Sequence, residues 1–164
     1  MSRGRSRGPC DTPGVQALVT AGAGFLLAVL WFDLMFDVQV IPHRRTELPE
    51  PVVASISTYY RRVTTEAGRM SRLVALVMVV TVVAIIVEIA RSDGPPVARW
   101  LSLVLAVVPI GVAATRTVPR AVRLGARRDP LHVQATAARS ICTEHLFCLG
   151  SIAALLVVQL VWMG

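Results

Sequence analysis

The chain has 164 residues, 54% of them apolar and only 16% charged, with a mean hydropathy of +0.62. Soluble domains carry about 25% charged residues, so this composition excludes an ordinary water-soluble domain. All 17 basic residues are arginine, giving a net charge of +7; they flank the apolar runs, which argues against nucleic acid as a partner and for retention at an anionic membrane face.

The first 14 residues (MSRGRSRGPCDTPG) are rich in Gly, Pro and Arg and are expected to form a disordered basic tail. The first apolar run begins at Val15 and continues through WFDLMFDVQV to Val40. A basic segment before an apolar run resembles a signal peptide. This run is too long, however, and no small-residue cleavage site follows it, so it is expected to remain as a spanning helix.

Residues 41–71 form a polar connection broken by Pro42, Pro49 and Pro51. Within it Val52, Ile56, Tyr59 and Val63 recur at helical spacing, with Tyr60, Arg61 and Arg62 beside them. That pattern predicts a short helix lying at the interface, its tyrosines at headgroup depth and its arginines facing phosphates. Pro51 suits the first turn of such a helix.

Three more spans follow, at about residues 73–90, 97–115 and 141–163, each long enough to approach the roughly 20 residues that a bilayer requires. RSDGPP, from Arg91 to Pro96, is a tight turn between the second and third, and Pro109 is expected to kink the third. Residues 116–129 hold five arginines and no clear element. Asp129-Pro130 reads as a helix start, with Asp as the cap and Pro in the first turn, and the helix can run unbroken through Arg139 into the fourth span. The expected architecture is all-α: an up-down four-helix bundle in a membrane, residues 15–164, with a short interfacial helix in the first long connection.

Positive loops stay cytoplasmic. The two long connections hold 12 arginines, whereas the tail and the tight turn together hold 5. The termini are therefore expected outside and both long connections inside, although the tail arginines pull the other way. Lysine-free, Ala- and Val-rich composition is that of a GC-rich coding sequence, which points to the plasma membrane of a bacterium.

Ionisable residues inside spans are costly, about 2.5–3.5 kcal/mol each near the helix centre. Asp33 and Asp37 are four apart and share a helix face with Gly22 and Leu26. Glu144 and His145 open the fourth span at the same membrane face, so Asp33, Asp37, Glu144 and His145 are a candidate polar cluster. One reading pairs the aspartates with Arg72, Arg116 or Arg120. The other makes the cluster a site for a metal, a proton or a polar ligand, though no ExxH or HxxxH spacing supports a metal. Glu88, at the opposite face, is a candidate ion-pair partner of Arg99 or Arg91, or else a proton site. Small-residue stripes, Thr20-Gly24-Ala28 and Gly150-Ala154, fit close helix packing within the bundle or across a homodimer.

Cys10, Cys142 and Cys148 give neither a disulfide framework nor a zinc signature. Only His145 lies near a span, which argues against haem, and no nucleotide or hydrolase motif is present. No cofactor is expected.

The segments FLLAVLWFDLMFDVQV, EAGRMSRLVALVMVV and ARSICTEHLF, with the layout of one helix, a long connection, a tight helical pair and a late polar helix, resemble small four-span bacterial membrane proteins and are similar to the anthrone-oxygenase-like group. The resemblance implies a four-helix membrane fold and oxygenase-type chemistry, without assigning any residue a role. The leading expectation is a non-enzymatic accessory subunit of the plasma membrane, acting on lipid and a membrane-protein partner or a second copy. The alternative is a small membrane enzyme or proton-coupled transporter using the Asp/Glu/His cluster.

Overall fold

Four stretches are long and apolar enough to cross a bilayer: Gly14–His43, Gly68–Arg91, Pro96–Ala126 and Leu131–Trp162. A computed structural model describes residues 13–162 and contains no strand among them. The helices are α1 (Pro13–Asp37), α2 (Glu50–Arg61), α3 (Gly68–Arg91), α4 (Pro96–Val112), α5 (Val118–Ala126) and α6 (Leu131–Trp162). A 3₁₀ turn, Val38–His43, extends α1; π turns at Arg62–Glu66 and Ala113–Thr117 follow α2 and join α4 to α5. Most of the predicted 1–14 tail, with its arginines and Cys10, lies outside the described residues.

The spans pack cyclically, α1 on α3, α3 on α4, α4 on α6 and α6 on α1. This is the predicted up-down bundle. Its interior is filled by Val19, Ala23, Leu26, Ala84, Ile85, Ala106, Ile152 and Leu155. Gly22 lies against Thr81 of α3 with no room for a Cβ, so α1 and α3 approach closely there. Outward, Leu76, Val79, Val83 and Ile86 of α3 are each at least half exposed and spaced three to four apart. Such a stripe is an unstable surface in water and a natural one in lipid. Gly24 and Gly150 have nothing within 4 Å of where a Cβ would stand. The two small-residue stripes therefore do not mediate close packing inside the bundle.

The helices are longer than a bilayer needs. α6 has 32 residues, and about 20 suffice for the hydrocarbon, so roughly a third of it projects. The third span likewise continues to Ala126, past the predicted end at residue 115. Pro109, which cannot donate the helical hydrogen bond to the carbonyl four residues before it, lies within α4, and the π turn follows it at Ala113–Thr117. α2 and α5 pack on each other, and both pack on the projecting part of α6. The result is a small head with its own core: Val40, Leu48, Val53, Ile56, Tyr60, Ala121, Leu124, Ala135, Ala138, Ile141 and Cys142. Gly125 of α5 sits against the α2 backbone, where a Cβ would fall 2.8 Å from the Arg61 nitrogen.

Two local expectations shift. The buried face of α2 is Val53, Ile56, Ser57 and Tyr60, one step round from the predicted Val52-Ile56-Tyr59-Val63 stripe, because α2 covers α5 and α6. Asp129 does not cap α6; its carboxylate accepts from Arg123 at 3.2 Å, and the carbonyl of Pro130 receives the first helical N–H groups. The fourth helix does run unbroken through Arg139, as predicted.

Candidate functional site

Where the head meets the bundle, one imidazole lies between two carboxylates. Asp33 and Asp37 stand one turn apart at the end of α1, facing α6 and α2. His145 Nδ1 is 2.6 Å from Asp37 Oδ2, and His145 Nε2 is 3.9 Å from Asp33 Oδ2. An ionised carboxylate only accepts, so Nδ1 carries the hydrogen toward Asp37. The consecutive tyrosines of α2 complete the knot. Tyr59 donates to Asp33 Oδ1 at 2.6 Å and Tyr60 donates to Asp37 Oδ1 at 2.7 Å. Neighbouring helix positions diverge by about 100°, which is how two adjacent phenols reach two acids a turn apart. Tyr59 also stacks on Phe36, ring centroids 4.1 Å apart.

Burial is nearly complete. Asp37 is fully buried, Tyr60 is 3% exposed and His145 7%; the Asp33 side chain keeps some access, at 18%, and its partner Tyr59 is half-buried. Every buried polar side-chain atom of the knot has a partner, since the unsatisfied atoms among the described residues lie elsewhere. Desolvation pushes the ionisation of both phenols up from the ordinary tyrosine range, and the neighbouring aspartates push it further. Both tyrosines therefore remain hydrogen-bond donors.

Three members of the predicted cluster, Asp33, Asp37 and His145, come together. Glu144 does not join them. One residue before His145, it points to the other side of α6, accepting from Thr117 Oγ1 at 2.8 Å and pairing with Arg120. The predicted arginine partners of Asp33 and Asp37 are likewise absent from the knot: Arg120 is engaged by Glu144, and phenols and an imidazole take the place of guanidinium. Sequence reading missed the tyrosines. Their signal was the Tyr-Tyr pair itself, assigned to headgroup depth because two arginines follow it.

At the far end of the bundle the predicted Glu88–Arg99 ion pair is not formed. Glu88 is 1% exposed and turns inward, where Oε2 accepts from Gln159 Nε2 at 3.2 Å; Gln159 Nε2 also reaches Ser102 Oγ at 3.1 Å. Arg99 instead donates to the Ile89 carbonyl at 3.2 Å, in the last turn of α3, where the Ser92 N–H is that carbonyl's other donor at 3.1 Å. Arg91 makes no ion pair among the described residues either.

No group of three or more His, Cys, Asp or Glu among the described residues is arranged to hold a metal ion. Cys142 and Cys148 are buried free thiols. Comparisons with protein-family models, curated proteins and solved structures find no match.

Proposed function

We propose that the protein is an accessory subunit of a bacterial plasma membrane, acting through a partner rather than through chemistry of its own. The supporting observation is the head. It has a hydrophobic core separate from that of the bundle and is tied to α1 by a polar knot with no free buried valence. Twelve arginines lie on or beside the head, against five in the sequence of the N-terminal tail and the α3–α4 turn (Arg3, Arg5, Arg7, Arg91 and Arg99). By the positive-inside rule the head is cytoplasmic and the termini extracytoplasmic. A packed, strongly basic cytoplasmic head is a surface to be bound; a knot with no bare buried side-chain atom is a fastening.

Extraction into native nanodiscs followed by intact mass spectrometry tests this. The expected result is a second polypeptide at fixed stoichiometry. A lone chain carrying a bound small molecule or metal would overturn it.

One observation favours a second reading, in which the cluster works as a site in an enzyme or proton-coupled transporter. Asp33 keeps a partial opening and faces His145 Nε2 at 3.9 Å, leaving room for a proton or polar group between them. Under that reading Asp33→Asn abolishes turnover or uptake in proteoliposomes while the fold is retained.

A further inference from the structure

The polar group at the opposite end of the bundle differs from the knot in one respect: it is not satisfied. Glu88, Ser102 and Gln159, from α3, α4 and α6, are 1%, 0% and 0% exposed. Glu88 Oε2 has one hydrogen bond, from the Gln159 amide. Glu88 Oε1 and Gln159 Oε1 have none. Among the described residues no cationic group lies within ion-pair distance of Glu88. Buried side-chain polar atoms are nearly always partnered, and a carboxylate in a membrane interior is held by a counter-charge or by several donors. Glu88 as an anion has a single amide N–H.

Both bare atoms are acceptors, so one hydrogen serves both. A carboxylic acid and a primary amide form a cyclic pair, with N–H···O on one side and O–H···O on the other. The first of these bonds is present at 3.2 Å. The second would join Glu88 Oε1 to Gln159 Oε1, the two buried atoms without a partner. We propose that Glu88 and Gln159, with Ser102 fixing the amide, form a proton-binding site: Glu88 takes up a proton on Oε1 and donates it in a hydrogen bond to Gln159 Oε1.

The surrounding groups fit this assignment. Ser102 Oγ accepts from the amide nitrogen and so orients it. Gln16 of α1 donates to the Gln159 carbonyl at 3.1 Å, fixing the α6 backbone. Of the charged groups nearby among the described residues, Arg99 donates through Nη1 to the Ile89 carbonyl and leaves its Nε without a partner, Arg91 is exposed at the end of α3, and Asp93 stands in the α3–α4 turn. The ligand is one that needs no cavity. Below the site the bundle is filled by Ile85, Ala106, Ile152 and Leu155. Glu88 lies three residues from the end of α3, so the short route for the proton is by the α3–α4 turn.

Infrared difference spectroscopy of the full chain in lipid films, titrated from acid to alkaline pH, tests the proposal. The expected result is a protonated-carboxyl C=O band that converts to carboxylate, moves with carbon-13-labelled glutamate, and so is distinguished from Asp33 and Asp37. Glu88→Gln abolishes the band. Gln159→Leu keeps it and shifts it upward, since a free carboxyl C=O absorbs higher than a hydrogen-bonded one. Should Glu88→Gln fail to fold, the labelled wild type and Gln159→Leu decide. The absence of any glutamate-derived C=O band across the range, or a band indifferent to both substitutions, overturns it.

Discussion

At the scale of single residues the knot makes a ranked prediction. Removing the Asp37 carboxylate strands two buried donors at once, Tyr60 Oη and His145 Nδ1. An orphaned buried partner costs about 1–3 kcal/mol, so Asp37→Ala is expected to lose about 3 kcal/mol or more. Asp33→Ala loses less, because Asp33 is partly exposed and Tyr59 is half-buried, so water can replace the acid. Thermal unfolding in one detergent should rank Asp37→Ala below Asp33→Ala. The reverse order would mean that Asp33 is the anchor. The two phenols allow a second measurement, because they are the only tyrosines in the chain. In the unfolded chain tyrosine ionises near pH 10 (about), while the folded values lie higher. Above that pH the unfolded state therefore holds fewer protons than the fold, and stability falls as pH rises. Tyrosinate absorbance should appear together with loss of helix; ionisation of either phenol in the intact helical protein would contradict the buried knot. Much of this site was legible beforehand. The i, i+4 aspartates and the late histidine stand out because each is costly in a span. The tyrosines and the separation of Glu144 were not, since both depend on the rotation of α2 and α6 about their own axes.

Among elements, the contact of α2 with α5 carries the head. Gly125 admits α2 at backbone distance, and a Cβ there would press on the Arg61 nitrogen, an atom that cannot swing away. Overpacking of this kind costs about 1–3 kcal/mol. Gly125→Ala is expected to loosen the head and raise protease cutting within residues 44–67, with the spans intact. Gly24→Ala, into open space, is the matched control and should be nearly silent. Equal protease sensitivity in the two variants would show that α2 is not held there. The spans were readable because lipid demands long apolar runs. α5 was not. Its nine residues include two arginines and bury only Ala121, Leu124 and Gly125, a segment far shorter than a span and flanked by further arginines. Its packing comes from being the continuation of α4, which the sequence shows only as a run of arginines after Pro109.

For the whole molecule the arrangement of charge is lopsided, and lipid makes that lopsidedness decide orientation. The head carries twelve arginines near the span ends, where the positive-inside effect is strongest, and the α3–α4 end carries Arg91 and Arg99. Some head arginines are paired, Arg120 with Glu144 and Arg127 with Glu50. But acidic partners contribute little to topology, which follows basic residues rather than net charge. The opposing signal is Arg3, Arg5 and Arg7, and first-helix flanks usually weigh heavily. We expect the head to prevail, because two separate connections, each fixed by a neighbouring pair of spans, must cross together if it does not. A C-terminal alkaline phosphatase fusion should then be active and a C-terminal green fluorescent protein fusion dark. Replacing Arg3, Arg5 and Arg7 by Gln should leave both readings unchanged. A fluorescent C-terminal fusion would invert the molecule, put the head outside, and place the Glu88 site at the cytoplasmic face. It would also remove the cytoplasmic partner surface on which the accessory-subunit reading depends.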